Sequence, residues 1–261
     1  MRLTDVPEAR NPSPPIRPLA ELRLDPGSIA LFLDVDGTLV EIVDRPDLVT
    51  LASGLVDLLA RLHDGMDGAV ALVSGRTLVS LNRMFAPLRL SAAGQHGLEI
   101  RLADGTIARH DTPPEYLAEV DSLLTETVAA APGLLIERKG LTIAVHYRNA
   151  DHQLGPLLAT ETRILQRFDG IIQSIHGKKV IEFKPVGINK ASAVETLMTS
   201  PPFAGRHPVF AGDDTTDEDG FAAAIRAGGV AIQVGDREPT LAQWRTPTVG
   251  NFIAWLTELA S

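Results

Sequence analysis

Two aspartates one residue apart, Asp34 and Asp36, end the apolar run of Leu31-Phe-Leu-Asp34-Val-Asp36-Gly37-Thr38-Leu39 and are followed at once by a turn. Ionised carboxylates held this close raise each other's pKa unless a cation lies between them. A hard, oxygen-seeking ion such as Mg²⁺ removes that penalty and can polarise a phosphate. The pair therefore suits metal-assisted phosphoryl transfer. Asp34 is the candidate nucleophile toward phosphorus. Asp36 is the candidate acid for the leaving oxygen and, in a second step, the base for the hydrolytic water. Gly37 lets the chain turn sharply beside the anion. An isolated pair of this kind reads first as a solvated acid pair at a strand turn; the longer Asp-x-Asp-Gly-Thr string favours chemistry.

Such acids need a scaffold to hold them, and from residue 29 onward short apolar runs alternate with stretches of helical period. That is the pattern of strands and crossover helices in a parallel sheet. Core strands are expected over 29–33, 69–73, 89–93, 209–211 and 230–233, and helices over 51–63, 77–85, 190–198, 217–227 and 252–259. Open sheets of this type bind ligands beyond the carboxyl ends of their strands. A second strand end carries Ser74-Gly75-Arg76, a hydroxyl and backbone N–H groups just before a helix start, which favours an anion. Ser74 is equally readable as a helix N-cap. A third carries Gly212-Asp-Asp-Thr-Thr-Asp-Glu218. There Asp213 is the candidate direct metal ligand, and Asp214 and Asp217 hold water or neighbouring groups around it. Asn189-Lys190 opens a helix and could place an ammonium near the transferring phosphoryl group.

Composition bounds the rest. With 261 residues, 44% of them apolar and 22% charged, the chain can bury a core with a smaller domain inserted in it. It contains no cysteine, which excludes disulfides, thiol nucleophiles and thiolate zinc sites. The formal net charge of −9 argues against general affinity for nucleic acid or an anionic membrane. No apolar run approaches the roughly eighteen residues of a membrane span, and the N-terminus lacks the order of a signal peptide. A cytoplasmic monomer with no nucleic-acid or membrane partner is expected. The first 26 residues carry six prolines among charges and read as a loosely ordered arm.

With the acid pair, the serine, the lysine and the acidic loop in this chain order, the sequence resembles the haloacid dehalogenase superfamily of aspartate-nucleophile phosphatases over residues 29 to about 234. The resemblance implies an α/β fold with a Rossmann-like core, a parallel sheet with helices on both faces. It also implies Asp34 as nucleophile, Asp36 as acid/base, and Ser74, Gly75 and Lys190 as phosphate-positioning groups. The implied cofactor is Mg²⁺ at Asp34, Asp36, Asp213 and Asp214, with Asp36 coordinating through its backbone carbonyl. The interval between Ser74 and Lys190 is too long for simple crossovers. Residues 112–184 read as an inserted α+β cap of pattern αββαββ, between core parts 27–111 and 185–261 and after the arm at 1–26.

Alternation along the cap strands gives an open face, because residues two apart point the same way. Glu137 and Lys139 share a side. Leu141, Ile143, Val145 and Tyr147 should meet the cap helices, leaving His146 and Arg148 opposite. Ile181 and Phe183 should pack inward, leaving Lys178, Val180, Glu182 and Lys184 on the other face, while Lys179 turns away from Glu182. Carboxylates accept hydrogen bonds from sugar hydroxyls, and lysine or arginine donates to them, so a charged face on a lid suits a polyol. It is also readable as a solvated sheet face.

The strings Glu137-Arg-Lys139, His146-Tyr147-Arg148, Gly177-Lys178-Lys179-Val-Ile-Glu182-Phe-Lys-Pro185 and Gly212-Asp-Asp-Thr-Thr-Asp-Glu218 resemble those of trehalose-6-phosphate phosphatases, and Gly94-Gln95-His96-Gly97 resembles a motif of that family near the substrate. The resemblance implies that Glu137, Lys139, Arg148, Lys178 and Glu182 contact a disaccharide, with Gln95 and His96 close by. Val35 stands where many members carry an aromatic residue, and Ala191 where glycine is frequent. A phosphatase or phosphomutase for another sugar phosphate (sucrose, mannosyl-glycerate or hexose phosphate) remains open. So do a phospho-receiver domain, which would need neither Asp36 nor a cap, and a non-catalytic sugar-binding protein.

Overall fold

The computed structural model describes residues 16–43, 49–110, 114–148, 150–177 and 179–261. In chain order its elements are β1 (Arg17–Pro18), β2 (Ile29–Leu33), α1 (Leu55–Gly65), β3 (Val70–Val73), α2 (Leu78–Met84), β4 (Ser91–Gly94), β5 (Glu99–Arg101) and β6 (Ile107–Arg109). Then come α3 (Pro114–Ala130), β7 (Leu135–Arg138), β8 (Ile143–His146), α4 (Leu154–Arg167), β9 (Ile172–Gly177) and β10 (Val180–Pro185). The chain closes with α5 (Lys190–Leu197), β11 (His207–Gly212), α6 (Asp217–Arg226), β12 (Val230–Val234), β13 (Trp244–Thr246) and α7 (Val249–Leu259).

The larger sheet runs β1-β13-β12-β11-β2-β3-β4-β5-β6, parallel except where β5 and β6 fold back antiparallel on β4. Its central strand, Ile-Ala-Leu-Phe-Leu, is buried along its whole length, as a strand covered by helices on both faces must be. Phe32 stacks on Phe203 at 5.4 Å, and Phe210 meets Phe221 edge-on at 5.8 Å. Helix α1 buries Leu55, Leu58, Leu59 and Leu62, one stripe of helical period.

Strand order decides where a ligand can sit. From β2 the chain builds outward through β3 and β4, and only later through β11, β12 and β13 on the opposite side. The loops leaving β2 and β11 therefore diverge and open a crevice at their carboxyl ends.

A second, antiparallel sheet of order β7-β8-β10-β9 carries α3 and α4 on one face. Val120 and Leu124 of α3 and Leu157 and Ile164 of α4 pack with Ile143, Val145, Ile172, Ile181 and Phe183. The alternation read from the sequence is thus present in β8 and β10, and the opposite face is left to Glu137, Ala144, His146 and Glu182. Lys179 lies at a backbone φ of 65° and turns away to Asp151, 2.6 Å distant.

Several expectations shift. Residues 17–22 are no loose arm: β1 pairs with β13, Arg17 lies over the Trp244 ring, and Leu19 and Leu22 enter the core. Two leucines and a cation over an indole outweigh what the prolines suggest about order, while residues 1–15 of the expected arm lie outside the described residues. The helix expected from 51 starts at Leu55, after Gly54 at φ 81°. The helix expected from 252 starts at Val249, because the Thr248 hydroxyl accepts from Asn251 N–H. The short strands β5, β6 and β13 were not foreseen. Each is three residues long, too short to show a period.

Helix α6 sits close on β11 because Gly220 has no side chain: a Cβ there would come 2.5 Å from the Phe210 ring. Gly220→Ala should lift α6 from the sheet and destabilise the fold by about 1–3 kcal/mol, the usual cost of overpacking. Urea denaturation with an unchanged m-value would measure it.

Candidate active site

The crevice gathers groups from four chain segments. Asp34 follows β2 directly, and its N–H donates to Ala211 O on β11 at 2.9 Å. Lys190 is the first residue of α5, fixed by a capping box in which Asn189 Oδ1 accepts from Ser192 N–H and the Ser192 hydroxyl oxygen accepts from Asn189 N–H. Its ammonium donates to Asp34 Oδ1 at 2.7 Å and to Asp217 Oδ1 at 2.6 Å. All three side chains are buried. Asp217 Oδ2 accepts from the N–H groups of Asp213 and Asp214, at 3.0 and 2.9 Å. Asp217 is thus fully engaged in shaping the acidic loop.

The electrostatics are unbalanced. Oxygens of Asp34, Asp213 and Asp217 all lie within 4.8 Å of one another, with a single ammonium among them. Burial, then repulsion from Asp217, lifts the Asp34 pKa well above the ordinary carboxylate range despite Lys190. Burial and the same repulsion raise that of Asp213. Burial would lower the Lys190 pKa, but Asp217 and Asp34 outweigh it and raise it. Three ionised carboxylates and one ammonium leave two negative charges, which a divalent cation would cancel.

The residues fit such an ion. Asp213 Oδ1 is buried without a hydrogen-bond partner, and every donor in the group is a hard oxygen. The Asp213 carboxylate lies against Gly37, where a Cβ would fall 2.1 Å from Oδ2 and φ is 87°, so this turn admits only glycine. Asp34 and Asp213 are the side chains with ligand capacity to spare. Asp214 accepts from Thr215 N–H at 2.7 Å, and its carboxylate is not among the three that converge.

Ser74 ends β3 and is almost fully buried, and its hydroxyl oxygen accepts from Arg76 N–H at 3.2 Å. It is not the N-cap of α2: Thr77 is, accepting from Ser80 N–H. That leaves the Ser74 O–H to donate elsewhere. Gly75 passes under the His96 ring, where a Cβ would come 2.8 Å from Nε2. The Arg76 guanidinium donates to both oxygens of Asp36, at 2.7 and 2.6 Å. Sequence reading used Arg76 only for its backbone. Its partner lies 40 residues away, and no local period marks it.

Across the crevice stands the open face of the small sheet. Lys139 donates to Glu182 Oε2 at 2.8 Å, and the Thr142 hydroxyl donates to Oε1 at 2.7 Å. His146 Nε2 lies 2.9 Å from Glu137 Oε2. Burial would raise the Glu182 pKa, but the adjoining His96 and Lys139 outweigh it and hold the carboxyl below its usual range. The Glu137 pKa is lowered chiefly by His146. A cavity of about 300 Å³ joins the two sides, lined by Asp34, Asp36, Ser74, Gly75, His96 and Lys190 from the core and by Glu137, Lys139, His146, Arg148 and Glu182 from the cap.

Of the residues picked from sequence, Asp213 sits behind this lining, facing a neighbouring cleft, and Gln95 is not part of it. Lys178 lies outside the described residues. The lining also includes Arg76, Thr216, Ile42 and Val49, which sequence reading did not assign to the site. Of these, none stands in the alternating cap strands that exposed His146.

Residues 32–249 match the family model described as trehalose-phosphatase. The chain is 38% identical over 239 residues to the trehalose-6-phosphate phosphatase of Escherichia coli (strain K12), covering 92% of this chain and 89% of that protein. It is 39% identical over 226 residues to a probable trehalose-phosphate phosphatase of Sinorhizobium fredii (strain NBRC 101917 / NGR234), covering 85% and 83%. Its fold is similar to that of the C-terminal domain of the C. albicans trehalose-6-phosphate phosphatase, with a TM-score of 0.78 at 22% identity over 90% of this chain and 92% of that one. The matched range takes in the Asp-x-Asp-Gly-Thr strand end, the lysine that opens α5, the acidic loop after β11 and the inserted charged sheet, and the chain belongs to the trehalose-phosphatase family.

Proposed function

We propose that this chain hydrolyses trehalose 6-phosphate to trehalose and inorganic phosphate through a phosphorylated Asp34, with Mg²⁺ held by the Asp34 and Asp213 carboxylates and the Asp36 backbone carbonyl. The observation that carries this reading is a cavity in which candidate phosphate-handling groups of the core face carboxylates and cations of the cap. The family match and the name of the E. coli relative support the substrate.

In the first step an Asp34 oxygen attacks phosphorus while the bond from phosphorus to the sugar oxygen breaks, and Asp36 gives that oxygen its proton. Trehalose then departs. Water attacks the same phosphorus, Asp36 takes the proton, and the phosphorus–oxygen bond to Asp34 breaks, restoring the carboxylate. The Lys190 ammonium and the Ser74 hydroxyl donate to the phosphoryl oxygens, where charge develops. Mg²⁺, when bound, supplies neutralisation of the acids and polarisation of the phosphoryl group. Both Asp36 oxygens accept from Arg76, which fixes the orientation of the carboxyl group and leaves a second lone pair on each oxygen for the proton.

The cap supplies selectivity. Glu137 and Glu182 accept from sugar hydroxyls, Lys139 and Arg148 donate to them, and closure keeps bulk water from the phosphoryl group. Lys178 belongs to this set by the family pattern. The chain is proposed to work as a cytoplasmic monomer, supported by its lack of cysteine and its net charge of −9; no helix among the described residues is long and apolar enough to cross a membrane.

Phosphate release from a panel of sugar phosphates should favour trehalose 6-phosphate and stop when a chelator removes divalent ions. Equal rates across the panel would refute the substrate, and chelator-resistant turnover would refute the metal. Asp34→Asn should lower turnover by more than about a thousandfold, as loss of a nucleophile does, with the circular dichroism spectrum unchanged. Binding of Mg²⁺ to the native state alone should raise stability by about 2.7 kcal/mol at a hundredfold excess over Kd. Thermal melts should show that rise in the natural chain and lose it in Asp213→Asn.

A further inference from the structure

Between β4 and β5 the chain makes a hook in which Gln95 and His96 both take left-handed backbone, at φ 49° and 59°. Side chains with a Cβ occupy that region only where the surroundings compel it. Here both side chains are buried and both reach the cap. Gln95 Nε2 donates to Glu99 Oε1 at 3.3 Å, and the same oxygen accepts from Leu78 N–H at 2.6 Å at the start of α2. With its amide fixed from the core side, Gln95 Oε1 accepts from the Leu141 main-chain N–H at 3.3 Å, in the turn between β7 and β8. His96 Nε2 stands 3.8 Å from Glu182 Oε2, and its ring lies on Gly75.

We infer that Gln95 is a latch for the cap, a positioning residue that does not touch substrate, and that the hook ties cap closure to the phosphate-binding loop. Leu141 lies between Lys139 and Thr142, the two residues that hold Glu182. A sugar bound by Lys139 and Glu182 fixes the very turn whose N–H Gln95 receives. His96 carries the same closure to Gly75, next to Ser74. Gln95 also stands outside the cavity lining, as a latch does and a sugar ligand does not.

The inference deepens the proposed function and rests on it for the choice of substrate. Gln95→Met, of similar length but without the amide, is compared with the natural full chain in Mg²⁺ on trehalose 6-phosphate and on phenyl phosphate, an ester with no sugar for the cap to grip. The ratio of the two kcat/KM values should fall about tenfold, with the larger loss on the sugar phosphate. An equal loss on both esters would make Gln95 a structural residue and overturn the latch. A second measurement needs no substrate. Because the chain has no cysteine, Gln166→Cys on α4 and Thr257→Cys on α7 accept a donor–acceptor dye pair at unique sites. Gln95→Met should shift the cap-to-core distance distribution toward separation. Unchanged distances would overturn the latch. Shifted distances in a chain that leaves trehalose 6-phosphate intact would uphold the latch and refute the proposed substrate alone.

Discussion

Two buried carboxylates and a third, half-buried one, gathered at one buried ammonium, form the constraint on which this molecule is organised. Asp34, Asp213 and Asp217 come from two parallel strands and one helix, and Lys190 comes from another helix. Charges out of water are tolerated only when paired and hydrogen-bonded. The surrounding structure meets that condition for Asp217 completely and for Asp34 in part, and leaves Asp213 Oδ1 with no partner. A set of this kind, with the pKa values of Asp34 and Asp213 raised by burial and by repulsion from Asp217, marks a candidate functional centre and has the donors to take up a divalent cation.

The fold follows from this need. Only at the divergence of β2 and β11 do two strand ends lie side by side with their loops leading apart, and that is where Asp34 and Asp213 stand. The close approach requires Gly37 at the turn, since a Cβ would occupy the place of the Asp213 carboxylate. The capping box at Asn189 and Ser192 fixes where α5 begins and therefore how deep Lys190 reaches. Local choices of turn, cap and small residue thus act directly on the distance between charges.

What was legible in the sequence divides along the same line. Groups placed by a short local rule were readable: the acids after a buried strand, Lys190 at a helix start, and the open face of β8 and β10, whose alternation put Glu182 and His146 on the side opposite Ile181 and Val145. Groups placed by contact across the fold were not. The Arg76 clamp on Asp36 joins residues of two loops, and Gln95 meets Leu141 only once the cap is docked. The three-residue strands β5 and β13 depend on neighbours already in the sheet for their pairing. Composition misled at residues 17–22, where prolines suggested a free segment and two leucines bind it to the core.

The described part of the cap face carries its own paired charges, and they bear on the proposed selectivity. Lys139 and Thr142 hold Glu182, and His146 holds Glu137. If Glu137 and Glu182 take the sugar as proposed, these pairs fix the carboxylates in advance, so less side-chain freedom is lost on binding. At Glu182, which is buried, they would also set a threshold: a ligand must offer hydroxyls that replace or share its partners, or it leaves that carboxylate unsatisfied. Discrimination of that kind is stronger against a ligand that lacks a hydroxyl than against one that only adds bulk. On the proposed reading the core asks for a phosphoryl group of any origin, and the cap admits it only on a scaffold whose hydroxyls match a pattern fixed in advance.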